Sequence, residues 1–546
     1  MDVNAVKVNK SQNSLSKKLL ISILLLAAIL RFQGIFWGIP VFDPLVHSYH
    51  PDEPKIIKPA SLFPRHLLYN TNFQYPTFYA YFLGTLSIPI KLIFKIKGWS
   101  FDIYQIYISI FARFVTVLLG VGSIFLTFVL GKRLYDEKVG LLGALFLSLS
   151  FYHVQNSAWA TLDVPNSFFS ILTLYLAFRM YEEPTPKFYF LTGVSFGVLT
   201  GTKYSGAIVL ISILILHYYQ ALKNEEKKLS GIFKVSLSKN LWILFLSAAA
   251  TFFLTTPGII LKTMGFINSV HSELSLGAGR AYHPQFIFSL SYFLFIIKNF
   301  NVAAGPFLSI IMIVGLIYPF RKRWDREIPL LASFILFFTI LGALGSRQLI
   351  LVLPIASILG AHAILHLYEK NRLLSKPVLV SLLTLWVIFA IAYNSAGILL
   401  RKDDTRTKAA HYINENIPIG TTIGATSIGD YLRWDWEFPK IDTEKYRVVD
   451  ALEKPKFIIL TSYDYVRMGR ALSSSKLHNY KWDPGSTVGW YKAHPPSEEV
   501  FRLYDDVLNE KGGKYKYRLV RKFEKNIFIP IEFPPPQIRI YERVED

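Results

Sequence analysis

Residues 113–179 read RFVTVLLGVGSIFLTFVLGKRLYDEKVGLLGALFLSLSFYHVQNSAWATLDVPNSFFSILTLYLAFR. Three apolar runs, 110–131, 138–157 and 163–181, fill and overlap this stretch, each near the roughly 20 residues that a bilayer requires. The first connector carries Lys132 and Arg133, whereas the second, NSAWATLD, holds no base and one acid, Asp163. A basic connector followed by a base-free one is what the positive-inside rule expects of membrane hairpins.

Working outward, the same alternation runs through most of the chain. The protein has 546 residues, 52% hydrophobic and 18% charged, with a mean hydropathy of +0.33. Soluble chains of this size carry more charge. The 59 Lys and Arg exceed the 38 Asp and Glu by 21, but the excess is local. Residues 402–546 hold 24 bases against 22 acids, which leaves a net of +19 on residues 1–401. The basic charge therefore belongs to loops between apolar runs, and a nucleic-acid partner is not expected. The absence of cysteine excludes disulfides, thiolate nucleophiles and Cys-ligated metals.

Apolar runs at 19–37, 110–131, 138–157, 163–181, 187–202, 204–220, 240–262, 304–320, 327–345, 348–368 and 376–398 give eleven expected spans, within a range of nine to thirteen. With the amino terminus inside, behind Lys7, Lys10, Lys17 and Lys18, every short basic loop falls on the inner side. Tyr75–Lys97 and Phe286–Lys298 are apolar too, and are read as helices along the outer interface. The fold expected is a polytopic α-helical membrane domain, 1–401, followed by a soluble α/β domain, 402–546, on the outer side.

The run from Pro186 to Gln220 is too long for one span and is expected to break at Gly201-Thr202-Lys203-Tyr204-Ser205-Gly206. Such a break below the outer surface is tolerated beside a protein-lined or watery cavity. The first outside loop, about 38–109, contains VHSYHPDEPKI (46–56), with His47, His50, Asp52 and Glu53 close together. Two adjacent acids there can deprotonate a hydroxyl, bind a metal with the histidines, or be solvated. Asp163, Lys203 and Arg347 fall on the same side, with Arg31 and Arg113 in the outer parts of their own spans and His271, Glu273 and Arg280 in the loop after span seven. Each alone has a bland explanation, as a snorkelling base or a helix cap. Together the bases suit a phosphate, which Arg grips through two parallel hydrogen bonds.

In the carboxyl-terminal part, a helix is expected over Thr405–Asn416 and another from Ser497 to Gly512-Gly513, with strands at 421–426, 456–462, 517–523 and 537–544. Trp434, Trp436, Trp482 and Trp490 are suited to stacking on sugar rings or to packing a core.

YHPDEP (49–54), FQYPTFYAYF (73–82), the 113–179 stretch, GVLTGTKYSGAIVL (197–210) and SRQLILVLPI (346–355) resemble the membrane glycosyltransferases related to dolichyl-phosphate-mannose–protein mannosyltransferases and lipid A aminoarabinose transferases. The likeness covers roughly residues 19–400. It implies a GT-C fold, a polyprenyl-phosphate sugar as donor, mannose by family default, and inversion at the anomeric carbon. It further implies that Asp52 is the general base with Glu53 orienting, and that Lys203 and Arg347 hold the donor phosphate. Asp163, Arg31, Arg113, His50 and Tyr204 would orient substrate or the acids. No cofactor is required, since a lipid phosphate leaves readily, although His47 and His50 keep a divalent metal open. The acceptor is a hydroxyl on a protein, lipid or glycan. The chain is expected in the cell membrane, its carboxyl-terminal domain extracytoplasmic. The rival reading, a lipid or solute transporter or flippase, fits less well: transporters place charges near the midplane and carry internal repeats.

Overall fold

The computed structural model describes residues 3–65, 67, 73–222, 234–280, 289–317, 329, 330, 335, 345–371, 375–425, 437–463, 498–509, 513–527, 529–531 and 534–544. The four tryptophans named above and most of the expected span 327–345 lie outside them. The chain forms two compact units. One comprises residues 1–35, 55–275 and 283–395, the other residues 36–54, 276–282 and 396–546.

Among the described residues the helices include α1 (Val3–Phe32), α2 (Glu53–Leu62), α3 (Phe78–Leu86), α4 (Ile88–Lys97), α5 (Phe101–Leu134), α6 (Glu137–Leu149), α7 (Phe151–Ser157), α8 (Asp163–Glu182), α9 (Pro186–Thr202), α10 (Leu210–Leu222), α11 (Lys239–Thr255), α12 (Thr263–Arg280), α13 (Leu290–Ala304), α14 (Leu308–Ile317), α15 (Leu353–Asn371), α16 (Lys376–Lys402), α17 (Thr405–Asn416) and α18 (Glu498–Asn509), with a single turn, Gly258–Leu261, between α11 and α12. Residues 263–280, read from the sequence as a loop, are thus helical. By length and apolarity three described stretches suffice to cross a bilayer: α5, Tyr204–Ala221 and Pro377–Asn416. The pair α3 and α4, bent by 50°, makes a fourth if it is one broken span. The expected interfacial segment 75–97 is therefore a kinked pair of short helices.

The break in the run from Pro186 to Gln220 falls where the glycines place it. Lys203 is extended, φ −153° and ψ 131°, between α9 and a 3-10 turn, Tyr204–Val209, that leads into α10. Upstream, Gly193, Gly197 and Gly201 recur every fourth residue and so line one face of α9. A Cβ on Gly193 would lie 2.4 Å from the Leu244 carbonyl oxygen, and one on Gly197 2.6 Å from that of Ala248. The stripe lets α11 approach α9 backbone to backbone, the small-residue packing used where lipid offers no hydrophobic drive. Gly201 continues it against the Thr255 hydroxyl. The hairpin that presents Lys203 is thereby seated on α11.

A second break divides α6 from α7 at Ser150. The terminal carbonyls of a helix lack intrahelical partners. Here the buried Arg31 donates to Ser148 O at 3.1 Å and Leu147 O at 3.4 Å, and to its own Ala27 O at 3.0 Å. Its Nη2 also lies 2.8 Å from His153 Nδ1.

The second unit contains a five-stranded sheet of order β2-β1-β3-β5-β4. The strands are β1 (Thr422–Ala425), β2 (Arg447–Asp450), β3 (Phe457–Thr461), β4 (Tyr517–Phe523) and β5 (Ile538–Arg543). β1 pairs parallel with β2 and β3, whereas β5 lies antiparallel between β3 and β4. All five residues of β3 are buried, because the sheet is covered on both faces. Phe457 and Ile459 join Ile413 of α17 in one core; Ile458 and Leu460 join Leu503 and Val507 of α18 in another. The sequence anticipates α17 residue for residue; the N-cap is Asp404, whose Oδ1 accepts the Arg406 N–H at 3.0 Å. β2, four residues at the sheet edge, is an addition to the expected strands.

Candidate functional site

Two helix breaks and a 3-10 turn in the first unit converge on one carboxylate. Asp163 opens α8, with Leu162 before it supplying no side-chain cap. Asp163 does not cap the helix either, for bases hold both its oxygens. Lys203 Nζ donates to Oδ1 at 2.6 Å and Arg347 Nε to Oδ2 at 2.5 Å. Lys203 also donates to Gln348 Oε1 at 3.0 Å.

Local backbone explains each position. Lys203 is the extended residue of the α9–α10 break. Arg347 and Gln348 sit in a 3-10 turn, Ser346–Leu351, entered through Gly345 at φ +124°, where an L side chain would be strained. That turn is tied to α8 by the Ser167 hydroxyl, which donates to Ile350 O at 3.2 Å, and to α13 by Ser346 Oγ donating to Asn299 Oδ1 at 3.0 Å. Tyr204, after Lys203, donates from its hydroxyl to Phe73 O at 3.0 Å.

The electrostatic layout is asymmetric. The Asp163 side chain is 2% exposed, but those of Lys203 and Arg347 are 15% and 18% exposed. A buried acid thus holds two bases that keep an accessible side. Burying an unpaired carboxylate is expensive, so Asp163 stays charged only in company of this kind. Gln348 was missed from sequence: a neutral amide beside an arginine carries no signal until Lys203 is found against it.

The acidic motif belongs to the second unit. His50 is fully buried and its Nδ1 accepts the backbone N–H of Asp52 at 3.2 Å, which leaves its ring proton on Nε2. Asp52 is half-buried, and Glu53, 5% exposed, begins α2, where the helix amino terminus favours a negative charge. His47 packs edge-on against Tyr49, whose hydroxyl lies 2.5 Å from that of Thr407. Arg406 stacks over the Tyr49 ring at 3.9 Å and forms a buried two-pronged pair with Asp404 at 2.7 and 2.6 Å. Asp43 accepts from His411 Nε2 at 2.8 Å and from the Leu45 N–H at 2.9 Å. Burial alone would raise the Asp43 pKa, but these bonds and the nearby positive charge hold it below the ordinary value. Lys440 reaches Pro44 O at 2.8 Å.

Arg113, also expected to orient, is buried in the first unit and donates from Nη1 to Ile35 O at 2.7 Å. Among the described residues no group of three or more His, Asp and Glu side chains is disposed to hold a metal, His47 and His50 included.

Comparison with known proteins adds to this geometry. Residues 108–249 match the family model described as dolichyl-phosphate-mannose-protein mannosyltransferase. A protein of Aquifex aeolicus, described as uncharacterized, is 30% identical over 138 residues, 24% of this chain. That match spans 28% of the relative's length. In fold, the archaeal oligosaccharyltransferase AglB of Archaeoglobus fulgidus, solved with an inhibitory peptide and a dolichol-phosphate, superposes with a TM-score of 0.54 at 13% identity, over 98% of this chain and 89% of that one. The A. fulgidus oligosaccharyltransferase tethered to an acceptor peptide gives 0.50 at 13% identity, over 97% and 88%. The chain therefore resembles dolichyl-phosphate-mannose-protein mannosyltransferases in sequence across residues 108–249, and the archaeal oligosaccharyltransferase in fold across nearly its whole length.

Proposed function

We propose that the protein is an integral-membrane inverting glycosyltransferase that moves a sugar, mannose in the first instance, from a polyprenyl-phosphate donor to an acceptor hydroxyl on the outer face. The observation that carries the reading is the pairing of Lys203 and Arg347 on one buried carboxylate, with a side of each left accessible. Two cations held in place ahead of substrate suit a phosphate on which charge grows during reaction. The dolichol-phosphate bound to the fold neighbour supports a lipid-linked donor.

In the proposed step Asp52 accepts the proton of the acceptor hydroxyl. The oxygen attacks the anomeric carbon from the face opposite the phosphate, and the C1–O bond breaks with its electron pair on the phosphate. Glycosylated acceptor and polyprenyl phosphate result, with the configuration inverted. Lys203 and Arg347 balance the charge arriving on the leaving oxygen. His50 and Glu53 orient Asp52 or the acceptor, and Asp163 fixes the two bases. Tyr204 and Arg113 steady the surrounding backbone through Phe73 and Ile35, and Arg31 does so through the end of α6. A lipid phosphate is a competent leaving group, so the step does not require a metal.

The reading includes eleven spans, a cytoplasmic amino terminus and an extracytoplasmic carboxyl-terminal domain. Its test is transfer from a panel of radiolabelled polyprenyl-phosphate sugars by purified wild type beside Asp52→Asn, with membrane extract supplying acceptors. Wild type transfers label and names the sugar, while Asp52→Asn loses about 10²–10⁴-fold, the usual contribution of a general base. Equal turnover by the variant removes Asp52 from the role. Lipid flipping without transfer by wild type removes the enzyme reading.

A further inference from the structure

We infer that Asp163 is a specificity-determining residue that matches the phosphate site to a singly charged phosphodiester and against a doubly charged phosphomonoester. This rests on the reading of Lys203 and Arg347 as donor-phosphate ligands.

Lys203 and Arg347 carry two positive charges, and Asp163, touching both at 2.6 and 2.5 Å, returns one. The trio presents a net +1. At 2% exposure the carboxylate is shielded by the protein, whereas the two bases are the accessible members, at 15% and 18%. An incoming phosphate therefore meets the cations first and feels the anion behind them. Gln348, bound to the same ammonium, adds a dipole without changing the sum.

A lipid-linked sugar phosphate is a diester with one negative charge. The lipid phosphate left after transfer is a monoester, which carries about −1.5 to −2 at pH 7 with a second pKa near 6. Desolvation of an anion rises with the square of its charge, while attraction to a fixed site rises only linearly. A +1 site thus suits the monoanion, and a +2 site would retain the dianion. Substrate and spent lipid differ in this one respect at the phosphate, so a carboxylate fixed between the bases favours release of the product over its retention. A site built only for grip would have placed a neutral residue at 163.

The test measures binding of two probes to the full-length protein in detergent, a short-chain polyprenyl monophosphate and its mannosyl phosphodiester. The variants are Asp163→Asn, Asp163→Glu and Lys203→Ala, each between pH 5.5 and 7.5. Asp163→Asn raises monoester affinity relative to diester affinity by about tenfold or more at pH 7.5, since the second charge gains the extra attraction, and this gain shrinks towards pH 5.5. Asp163→Glu keeps the wild-type ratio. In wild type the monoester does not weaken relative to the diester as the pH falls. An equal change in both probes with Asp163→Asn overturns the inference. A wild-type ratio that drops steeply in acid does so too, and needs no variant to fold. Lys203→Ala separates the two levels. If it weakens both probes, the phosphate reading stands whatever Asp163 does; if it weakens neither, that reading falls and this inference with it.

Discussion

The Arg406 guanidinium lies 3.9 Å from the centre of the Tyr49 ring, so that the head of α17 is stacked on the loop preceding the acidic motif. Both residues are buried, and Asp404 neutralises the arginine through two hydrogen bonds from its Nε and Nη2. Trp37 adds a second ring, 5.8 Å from the same guanidinium. Segment 36–54 is thus an integral part of the carboxyl-terminal unit, although far from it in sequence.

Arg406→Leu is expected to destabilise that unit by about 3–5 kcal/mol, because Asp404 is left as an uncompensated buried charge. The double change Asp404→Asn with Arg406→Met should recover most of this loss, since it removes both charges at similar volume. Thermal unfolding of the purified protein, followed by tryptophan fluorescence, reads the difference. Equal losses in the single and double variants would show that the stack and not the ion pair supplies the stability.

The Gly193 stripe gives a second expectation. A methyl group there meets the Leu244 carbonyl at 2.4 Å, a backbone atom that cannot swing aside. Gly193→Ala should cost about 1–3 kcal/mol, as overpacking does, and displace the hairpin bearing Lys203. Unchanged melting together with unchanged donor affinity would mean that α9 and α11 accommodate the methyl without moving the site.

Much of this was legible in the sequence, for reasons that differ by element. The break at Lys203 follows from a length a bilayer cannot accommodate, and the end of α17 from Pro418 just beyond it. β2 escaped notice because RVVD, four residues at a sheet edge, is shorter than any periodicity it could display. The charges of Asp163, Lys203 and Arg347 could be assigned to one side of the membrane by hairpin parity. Parity gives a side and no distance, so their mutual pairing is set by the packing of the helices and not legible in the sequence. The same holds for Arg406 and Tyr49, whose contact joins the two ends of the chain.

The phosphate site predicts a coupled response. Lys203→Ala or Arg347→Ala should weaken donor binding by about 2–5 kcal/mol, the range for removing one member of a buried charge pair. The two bases share Asp163, so the double variant should fall short of the summed losses. Competition binding with a labelled polyprenyl-phosphate sugar checks both points. Strict additivity would argue that the bases act on the donor independently of the carboxylate between them.

Acid should loosen the contact between Asp43 and His411. The folded pKa of Asp43 is depressed, so its contribution is fully present above the unfolded value of about 3.8 and is lost as the pH falls through the folded value. Wild type should therefore lose stability over Asp43→Asn as the pH drops below about 4. The Asp43 and His411 side chains are 27% and 48% exposed, so the effect should be small and should shrink in salt. Melting curves of the two proteins from pH 3 to 6, at low and high ionic strength, measure it; parallel curves would assign no stability to the pair.

Topology can be read chemically because the chain has no cysteine and any introduced thiol is unique. Glu444 is exposed in the carboxyl-terminal unit, and Lys138 is exposed at the base-rich connector between α5 and α6. In the proposed topology the positive-inside rule puts the connector in the cytoplasm, and the odd number of expected spans between the two residues puts Glu444 across the membrane. Glu444→Cys should react with an impermeant maleimide on intact cells, whereas Lys138→Cys should react only after permeabilisation. The reverse pattern would invert the whole assignment and move the acidic motif, with its unit, to the cytoplasmic face. Labelling of both on intact cells would instead preserve the outer domain and require an odd change in the spans between them. Since Asp52 belongs to the same unit as Glu444, the first outcome also fixes the side on which the acceptor hydroxyl must be presented.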